Sequence, residues 1–293
     1  VNITTQAPRD GFGGEVSAEG GRYGTEQLAA NIGGGNDSLD FNLSASDFET
    51  DGFNARTTDT ELRDDDGYDN TTLHGRLGWN VSDAFRLEVV GRDVDSENEF
   101  DQCYSFPDTI DNCSDSFEQN AWRVAADYNA GAFTNQLAYN TADTKRNSYS
   151  AGELSFFTDG NLENLSYLGS FSSGDDLRLV YGVDLETQSI DDGTFDNERD
   201  QDGYYAEYQG SFNNRLFLTA GARYDDNEDF GSHTSHRVSG AYLFELHGGE
   251  LKLKGAYGTG FRAPSLYEIS YNNGDFRTPP ASDTTLQEEQ SKG

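Results

Sequence analysis

The sequence is poor in basic side chains, in apolar residues and in cysteine. Its 20 Lys and Arg stand against 53 Asp and Glu, which gives a formal net charge of −33. Because contacts to phosphate groups require clustered Lys and Arg, this balance argues against nucleic acid as a partner. The sequence contains no run of about 18 apolar residues, so it predicts no transmembrane helix.

Methionine is absent altogether, and the sequence begins without a signal peptide. A strand-like pattern starts shortly after Val1, and another strand is expected to begin near Gly293. We therefore expect a fragment of a longer exported protein. Hydrophobic residues make up only 34% of the chain, whereas a soluble domain of this length usually approaches half. The 13% of aromatic residues nevertheless argues against disorder.

What the sequence does contain is a repeated alternation of apolar and polar side chains. From Leu216 to Tyr224, for example, one set of alternate residues is apolar throughout, and the other set includes Thr219 and Arg223. Successive side chains of a strand point to opposite faces, so each run has one apolar and one polar face. In a soluble sandwich the polar face would lie outside. In an outer-membrane barrel it lines the lumen, and the apolar face contacts lipid.

Thirteen such runs are predicted as strands, and all five prolines fall outside them, as the hydrogen bonding of a sheet requires. The approximate bounds are 12–22, 24–34, 37–48, 69–82, 84–96, 118–129, 132–145, 161–172, 175–189, 202–213, 215–227, 234–247 and 249–262.

Short and long connections alternate between these runs. The short turns include 34–37, 82–83, 129–131, 173–175, 213–214 and 248–249, and the long polar connections are 49–68, 97–117, 146–160 and 190–201. Outer-membrane barrels show this asymmetry, with their long loops outside the cell. The end of the strands that carries the long connections is called the outer end below. Aromatic residues beside the short turns are typical of a membrane girdle, or simply of strands: Trp79, Phe85, Tyr128, Phe133, Phe171, Phe212 and Phe244.

The predicted fold class is therefore all-β, a partial transmembrane antiparallel β-barrel. Such a barrel closes with an even number of strands, so about nine more would have to follow Gly293 to give the roughly 22 strands of a plugged transporter. Cys103 and Cys113 lie ten residues apart in one polar loop, a spacing that excludes a CxxC motif. They are expected to form a disulfide in an oxidising compartment; two unpaired thiols are the alternative.

Three segments resemble the TonB-dependent outer-membrane receptors. Residues 1–5 (VNITT) resemble the end of the family's plug domain, and residues 255–268 (GAYGTGFRAPSLYE) resemble a strand and loop that recur across the family. Residues 286–293 (LQEEQSKG) resemble its L-x-P-E-x-S-x-G segment, with Glu288 in place of the usual proline. Within the family, the order of strands and loop lengths is most similar to the vitamin B12 receptors.

The resemblance implies a domain division and a function. Residues 1–8 would be the C-terminal end of the plug, and residues 12–293 the N-terminal part of the barrel. The receptor would import a scarce, bulky nutrient, cobalamin first and a ferric siderophore second, and an inner-membrane TonB complex would supply the energy. Outer-membrane lipid would surround the barrel. A passive porin and a secreted calcium-binding β protein are the alternatives.

Four aspartates are candidate ligands for Ca²⁺: Asp64, Asp66, Asp101 and Asp111. Asp64 and Asp66 point the same way on an extended segment, and hairpin geometry brings the 101–111 loop close to them. Ca²⁺ prefers six to eight oxygen ligands, which carboxylates and backbone carbonyls can supply. The vitamin B12 receptors carry calcium ligands at the matching positions. Alternatively, these aspartates are solvated turn residues.

Signals for enzyme chemistry are weak, because no histidine has metalloprotease spacing and residues 258–263 (GTGFRA) lack the third glycine of a dinucleotide loop and a following helix pattern. The protein is therefore not expected to be an enzyme. Aromatic residues of the loops are candidates for contact with a large ligand or, equally, for packing the loops together: Tyr104, Phe106, Tyr267, Tyr271 and Phe276.

Overall fold

The computed structural model describes residues 11–54, 56, 64–105, 107–273 and 286–293. Residues 1–8, which the resemblance assigns to the plug, lie outside this part of the chain. The described residues form sixteen strands and one short helix: β1 Gly11–Gly20, β2 Glu26–Gly35, β3 Leu39–Phe53, β4 Asp66–Ser82, β5 Phe85–Phe100, β6 Cys103–Ser105, β7 Asp108–Ile110, β8 Cys113–Ala130, β9 Phe133–Ser150, β10 Glu153–Ser173, β11 Leu177–Asp191, β12 Asp196–Phe212, β13 Leu216–Asn227, β14 Gly231–Leu246, β15 Gly249–Arg262, α1 Leu266–Asn273 and β16 Glu289–Lys292.

Fourteen of these strands form one antiparallel sheet, and consecutive strands are neighbours in it. The order is β1-β2-β3-β4-β5-β8-β9-β10-β11-β12-β13-β14-β15-β16, and β6 and β7 pair separately as a hairpin. The strands β1 and β16 are the edges of the described sheet, which is not closed. The all-β fold class is confirmed, and each of the thirteen predicted strands is present. A fourteenth, β16, begins at Glu289.

Two of the predicted long connections are wrong, because the strands continue into them. Only residues 151 and 152 separate β9 from β10, and only residues 192–195 separate β11 from β12. Ala151 and Gly152 both have positive φ, 53° and 77°, as a two-residue hairpin turn requires. Beyond the lipid both faces of a strand can be polar, so backbone pairing continues while the apolar alternation disappears.

The strands divide between two compact units, each described here by itself. One comprises residues 1–124, 140–161 and 190–196, and the other comprises residues 125–139, 162–189 and 197–293. In the first unit, one row of paired positions runs through Gly14, Ile32, Leu43, Gly75 and Gly91. In the second unit, Tyr204 pairs with Tyr224 and Ala206 with Ala222. Register therefore aligns apolar and small side chains on one face within each unit.

Most large apolar side chains are exposed on this face rather than buried in a core. Among the described residues, the buried hydrophobic side chains are only Val94, Cys113, Ala125, Ala138 and Leu266. Of the seven aromatic residues predicted beside the short turns, five are exposed: Trp79, Tyr128, Phe133, Phe212 and Phe244. Within the described ranges, no helix is long and apolar enough to cross a membrane. The exposed face is what the sequence predicts for contact with lipid.

The polar face carries ion pairs between strands. In the second unit, Arg223 pairs with Asp184 and Asp225, and its guanidinium lies 5.5 Å from the ring centroid of Tyr205. In the first unit, Arg86 bonds Asp40 at 2.7 Å. The pair of Arg223 with Asp184 connects β13 to β11, and the pair of Arg86 with Asp40 connects β5 to β3, so each spans one intervening strand, as expected for the wall of a polar lumen.

Candidate ligand-binding site

The family-like segment after β15 forms a capped helix that the sequence analysis missed. The backbone N–H of Glu268 donates to the hydroxyl of Ser265 at 3.2 Å, and the Glu268 carboxylate accepts the backbone N–H of Ser265 at 2.7 Å. This reciprocal pair is a capping box, which satisfies two free N–H groups where a helix begins. The spacing Ser265-x-x-Glu268 is the signal that could have predicted α1.

Arg262 connects the two family-like segments that lie apart in the sequence. Its guanidinium donates to Glu268 at 2.7 Å and to Glu289, the first residue of β16, at 3.1 Å. The pKa of Glu268 is lowered to about 2, chiefly by the hydrogen bond from Arg262 and then by those from Ser265. The carboxylate therefore stays charged over the whole physiological range and fixes the direction in which α1 leaves the sheet.

The two faces of α1 differ in exposure. Leu266 and Ser270 are buried, whereas Tyr267 and Tyr271 are 51% and 64% exposed. Residues four apart lie on the same side of a helix, so the two tyrosines share the exposed face. Of the five candidate aromatic residues, these two are brought together by the structure. Phe276 and Phe106 lie outside the described residues.

A buried arginine lies beneath α1. The side chain of Arg199, on β12, is only 5% exposed. It donates to the backbone carbonyl of Pro264 at 2.7 Å and to the side-chain oxygen of Gln188, on β11, at 2.9 Å. Asp229, in the turn between β13 and β14, lies 3.7 Å away as its counter-ion. Sequence analysis gave no sign of this arginine, because it follows no motif.

The cysteine loop forms a second structured element at the outer end. Cys103, the first residue of β6, and Cys113, the first residue of β8, are joined by a disulfide. The hydroxyl of Ser150, at the end of β9, donates to the carbonyl of Tyr104 at 3.2 Å. The Tyr104 side chain is 58% exposed and is available for contact with a ligand.

The candidate calcium ligands lie at the same end of the molecule but are not assembled into a metal centre. Asp66 begins β4, and Asp101 follows the end of the adjacent strand β5. Asp111 forms an ion pair with Arg56, which neutralises one of the predicted ligands, and Asp64 is exposed. Among the residues that the structure describes, no group of three or more His, Cys, Asp and Glu could hold a metal ion. Calcium binding stays a prediction.

A large hollow elsewhere on the protein is not a candidate for nutrient binding. It has a volume of about 1150 Å³ and is lined mainly by residues of the apolar face, such as Phe12, Leu43, Leu77 and Trp122. This face contacts lipid in a membrane-spanning sheet. The hydrocarbon of the membrane, rather than a polar nutrient, is therefore the environment that fills this hollow.

The chain matches one known family over almost its whole length. The family model for the TonB-dependent receptor-like β-barrel matches residues 9–293. The chain belongs to this family. TonB-dependent receptors are outer-membrane transporters of Gram-negative bacteria and not enzymes, so the chain is assigned to the outer membrane.

Curated relatives match along almost the whole chain. The vitamin B12 transporter BtuB of Photobacterium profundum is 27% identical over 301 residues, which cover 99% of this chain and 46% of that protein. The vitamin B12 transporter BtuB of Vibrio cholerae is 26% identical over 302 residues, which cover 98% of this chain and 47% of that protein. The chain thus spans about half the length of the curated relatives it matches.

Solved structures share the fold. The siderophore receptor PirA from Pseudomonas aeruginosa superimposes with a TM-score of 0.70 at 18% identity, covering 90% of this chain and 45% of the receptor. The copper transporter OprC has a TM-score of 0.70 at 14% identity, and the match covers 98% of this chain and 51% of the transporter. The partial-barrel architecture predicted from the sequence is therefore that of solved receptors.

Proposed function

We propose that the chain forms part of a receptor that binds a scarce, bulky nutrient at the cell surface and imports it with energy from a TonB complex. Cobalamin is the first candidate and a ferric siderophore the second. The observation that carries this proposal is similarity to two vitamin B12 transporters over 98–99% of the chain, which includes the outer ends where a ligand would bind. Family membership favours this function over the passive porin and the secreted β protein.

The binding experiment uses the full-length receptor refolded in detergent micelles. We expect saturable binding of cyanocobalamin and much weaker binding of ferric enterobactin, measured by equilibrium dialysis. If the receptor binds ferric enterobactin tightly and does not bind cyanocobalamin, a ferric siderophore replaces cobalamin as the proposed nutrient. Binding of neither ligand, by protein that migrates as a folded barrel, would contradict both substrate assignments.

The candidate contact surface consists of Tyr267 and Tyr271 on α1, and Tyr104 of the cysteine loop, in the other unit, is a separate candidate. Exposed rings bind flat organic surfaces well, and a tyrosine hydroxyl adds a hydrogen bond at the edge. The two tyrosine rings of α1 are exposed and lie on the same side of a capped helix, which supports this role for α1. The side chains of Phe106 and Phe276 complete the set that the sequence predicts.

Calcium binding by Asp64, Asp66, Asp101 and Asp111 is a separate proposal. Ca²⁺ would have to displace the guanidinium of Arg56 from Asp111 and would relieve repulsion among the carboxylates. Isothermal titration of the full-length receptor with Ca²⁺ should release heat that an Asp64→Asn/Asp66→Asn variant does not. Equal heats from the two proteins would refute the site.

A further inference from the structure

One buried side chain, Arg199, contacts the segment of the chain that carries Tyr267 and Tyr271. Pro264 lies two residues before α1, and its carbonyl oxygen accepts a hydrogen bond from Arg199 at 2.7 Å. Leu266 and Ser270 of α1 are buried, so the helix packs against the protein on the side away from the tyrosines. The start of α1 is therefore held against the protein, whereas the side that carries the two tyrosines is exposed.

Arg199 connects four separate segments of the outer end. Its guanidinium bonds Gln188 on β11 and Pro264 before α1, with Asp229 of the β13–β14 turn as its counter-ion, while its own backbone lies on β12. The two hydrogen bonds leave from different nitrogens of one planar group. A lysine has one ammonium in place of this fork and could satisfy only part of the arrangement.

The same outer region is fixed by a buried asparagine next to the counter-ion. Asn227 is 1% exposed, and its side-chain oxygen accepts the backbone N–H groups of Asp229 and Phe230, both at 3.1 Å. This pair of bonds holds the turn that carries Asp229. Arg199 thus contacts a rigid turn on one side and the entrance to α1 on the other.

Arg199 takes no part in the pairing of β12 with β13. The register of β12 with β13 runs from Phe212 paired with Leu216 to Gln201 paired with Asn227, and Arg199 lies beyond its last pair. Loss of the guanidinium would leave the Pro264 carbonyl buried without its donor, and a buried polar group without a partner is costly. The least costly relief is for the segment 263–273 to move away from the sheet into water.

We propose that Arg199 is the positioning residue of the ligand site, which holds α1 so that Tyr267 and Tyr271 face the ligand. This inference rests on the proposed function, because it gives Arg199 a role in nutrient binding rather than in the stability of the barrel alone. Arg199 does not touch the ligand itself. It acts through the carbonyl of Pro264 and hence through the orientation of α1.

The first test measures the position of α1 without any ligand. A nitroxide label is attached at Tyr271→Cys in the full-length receptor, and its mobility is compared by electron paramagnetic resonance in the parent, Arg199→Gln, Arg199→Lys and Arg215→Gln backgrounds. Arg215 is the matched control, because it forms an exposed ion pair with Glu245 at the opposite end of β13. We expect a large gain in mobility for Arg199→Gln, a smaller one for Arg199→Lys and none for Arg215→Gln.

The second test measures cyanocobalamin binding by the same backgrounds with Tyr271 intact. Because a disordered contact element must be ordered again on binding, we expect the Kd to rise about tenfold for Arg199→Gln and clearly less for Arg199→Lys. Heat-modifiable migration on gels should be unchanged in all variants. If Arg199→Gln fails to fold, the comparison of Arg199→Lys with Arg215→Gln carries the test.

The outcomes separate the inference from the function on which it rests. Unchanged label mobility in Arg199→Gln would overturn the positioning role. Increased mobility with unchanged cyanocobalamin affinity would overturn the link between α1 and the ligand. If the parent receptor does not bind cyanocobalamin, the substrate assignment fails, and the label experiment still decides whether Arg199 holds α1.

Discussion

At the scale of the residue, Glu268 carries the clearest electrostatic signature of the outer end. It accepts hydrogen bonds from Arg262 and from the Ser265 backbone and hydroxyl, which together lower its pKa from 4.5 to about 2. Sequence comparison marks this glutamate as part of a family-like segment. The structure adds the reason: one carboxylate caps α1 and receives the arginine that leads into it.

The capping role of Glu268 predicts how α1 responds to acid. Because the pKa is lower in the folded state than in the unfolded one, the stabilisation by the charged carboxylate is complete above pH 4.5 and is lost as the pH falls toward 2. Mobility of a nitroxide at Tyr271→Cys should therefore stay constant from pH 7 to pH 5 and rise below pH 4.5.

The matched variants are Glu268→Gln and Glu245→Gln. Glu245 also pairs with an exposed arginine, but it lies at the other end of the sheet. Glu268→Gln should abolish the acid transition, because it removes the titrating carboxylate while its amide can still cap the helix, and Glu245→Gln should leave the transition unchanged. An acid transition that persists in Glu268→Gln would show that the titration of another group produces it.

At the scale of the element, the alternation of side chains predicted the strands wherever one face is apolar. The prediction failed at the outer ends of β9, β11 and β12, because polar residues occupy most positions on both faces there and only backbone pairing continues. It also failed at the outer end of β10, although Leu154 and Phe156 continue the alternation there. The turn at Ala151 and Gly152 was missed because it lacks the Asn-Gly or Asp-Gly pair that usually marks a two-residue hairpin.

The elements of the candidate site were predictable to different degrees. The spacing of Cys103 and Cys113 was enough to predict their pairing, since both lie in one short loop. The helix α1 was missed because it has only eight residues and no apolar stripe, although Ser265 and Glu268 have the spacing of a capping box. Arg199 could not be predicted, because its partners come from segments that only the fold brings together.

At the scale of the whole molecule, the structure shows where some of the acids that give the net charge of −33 are placed. Asp47, Asp69 and Asp95 lie at neighbouring register positions on β3, β4 and β5, on the outer side of the apolar pair Ala45 and Leu73. Partial burial and then repulsion by Asp95, Asp47 and Glu99 raise the pKa of Asp69. The composition gives only the number of acidic residues, whereas the strand register shows that these three lie close together.

The assignment of the chain to the outer membrane requires that the apolar face of the sheet contact lipid and the polar face line a lumen. The most direct measurement is a nitroxide scan of β13 from residue 217 to residue 222 in the full-length receptor in bilayers, with collision rates measured for oxygen and for a water-soluble nickel chelate. If the apolar face contacts lipid, oxygen maxima are expected at Leu218, Ala220 and Ala222 and nickel maxima at the intervening positions. Equal access at all six positions, or the opposite phase, would contradict it.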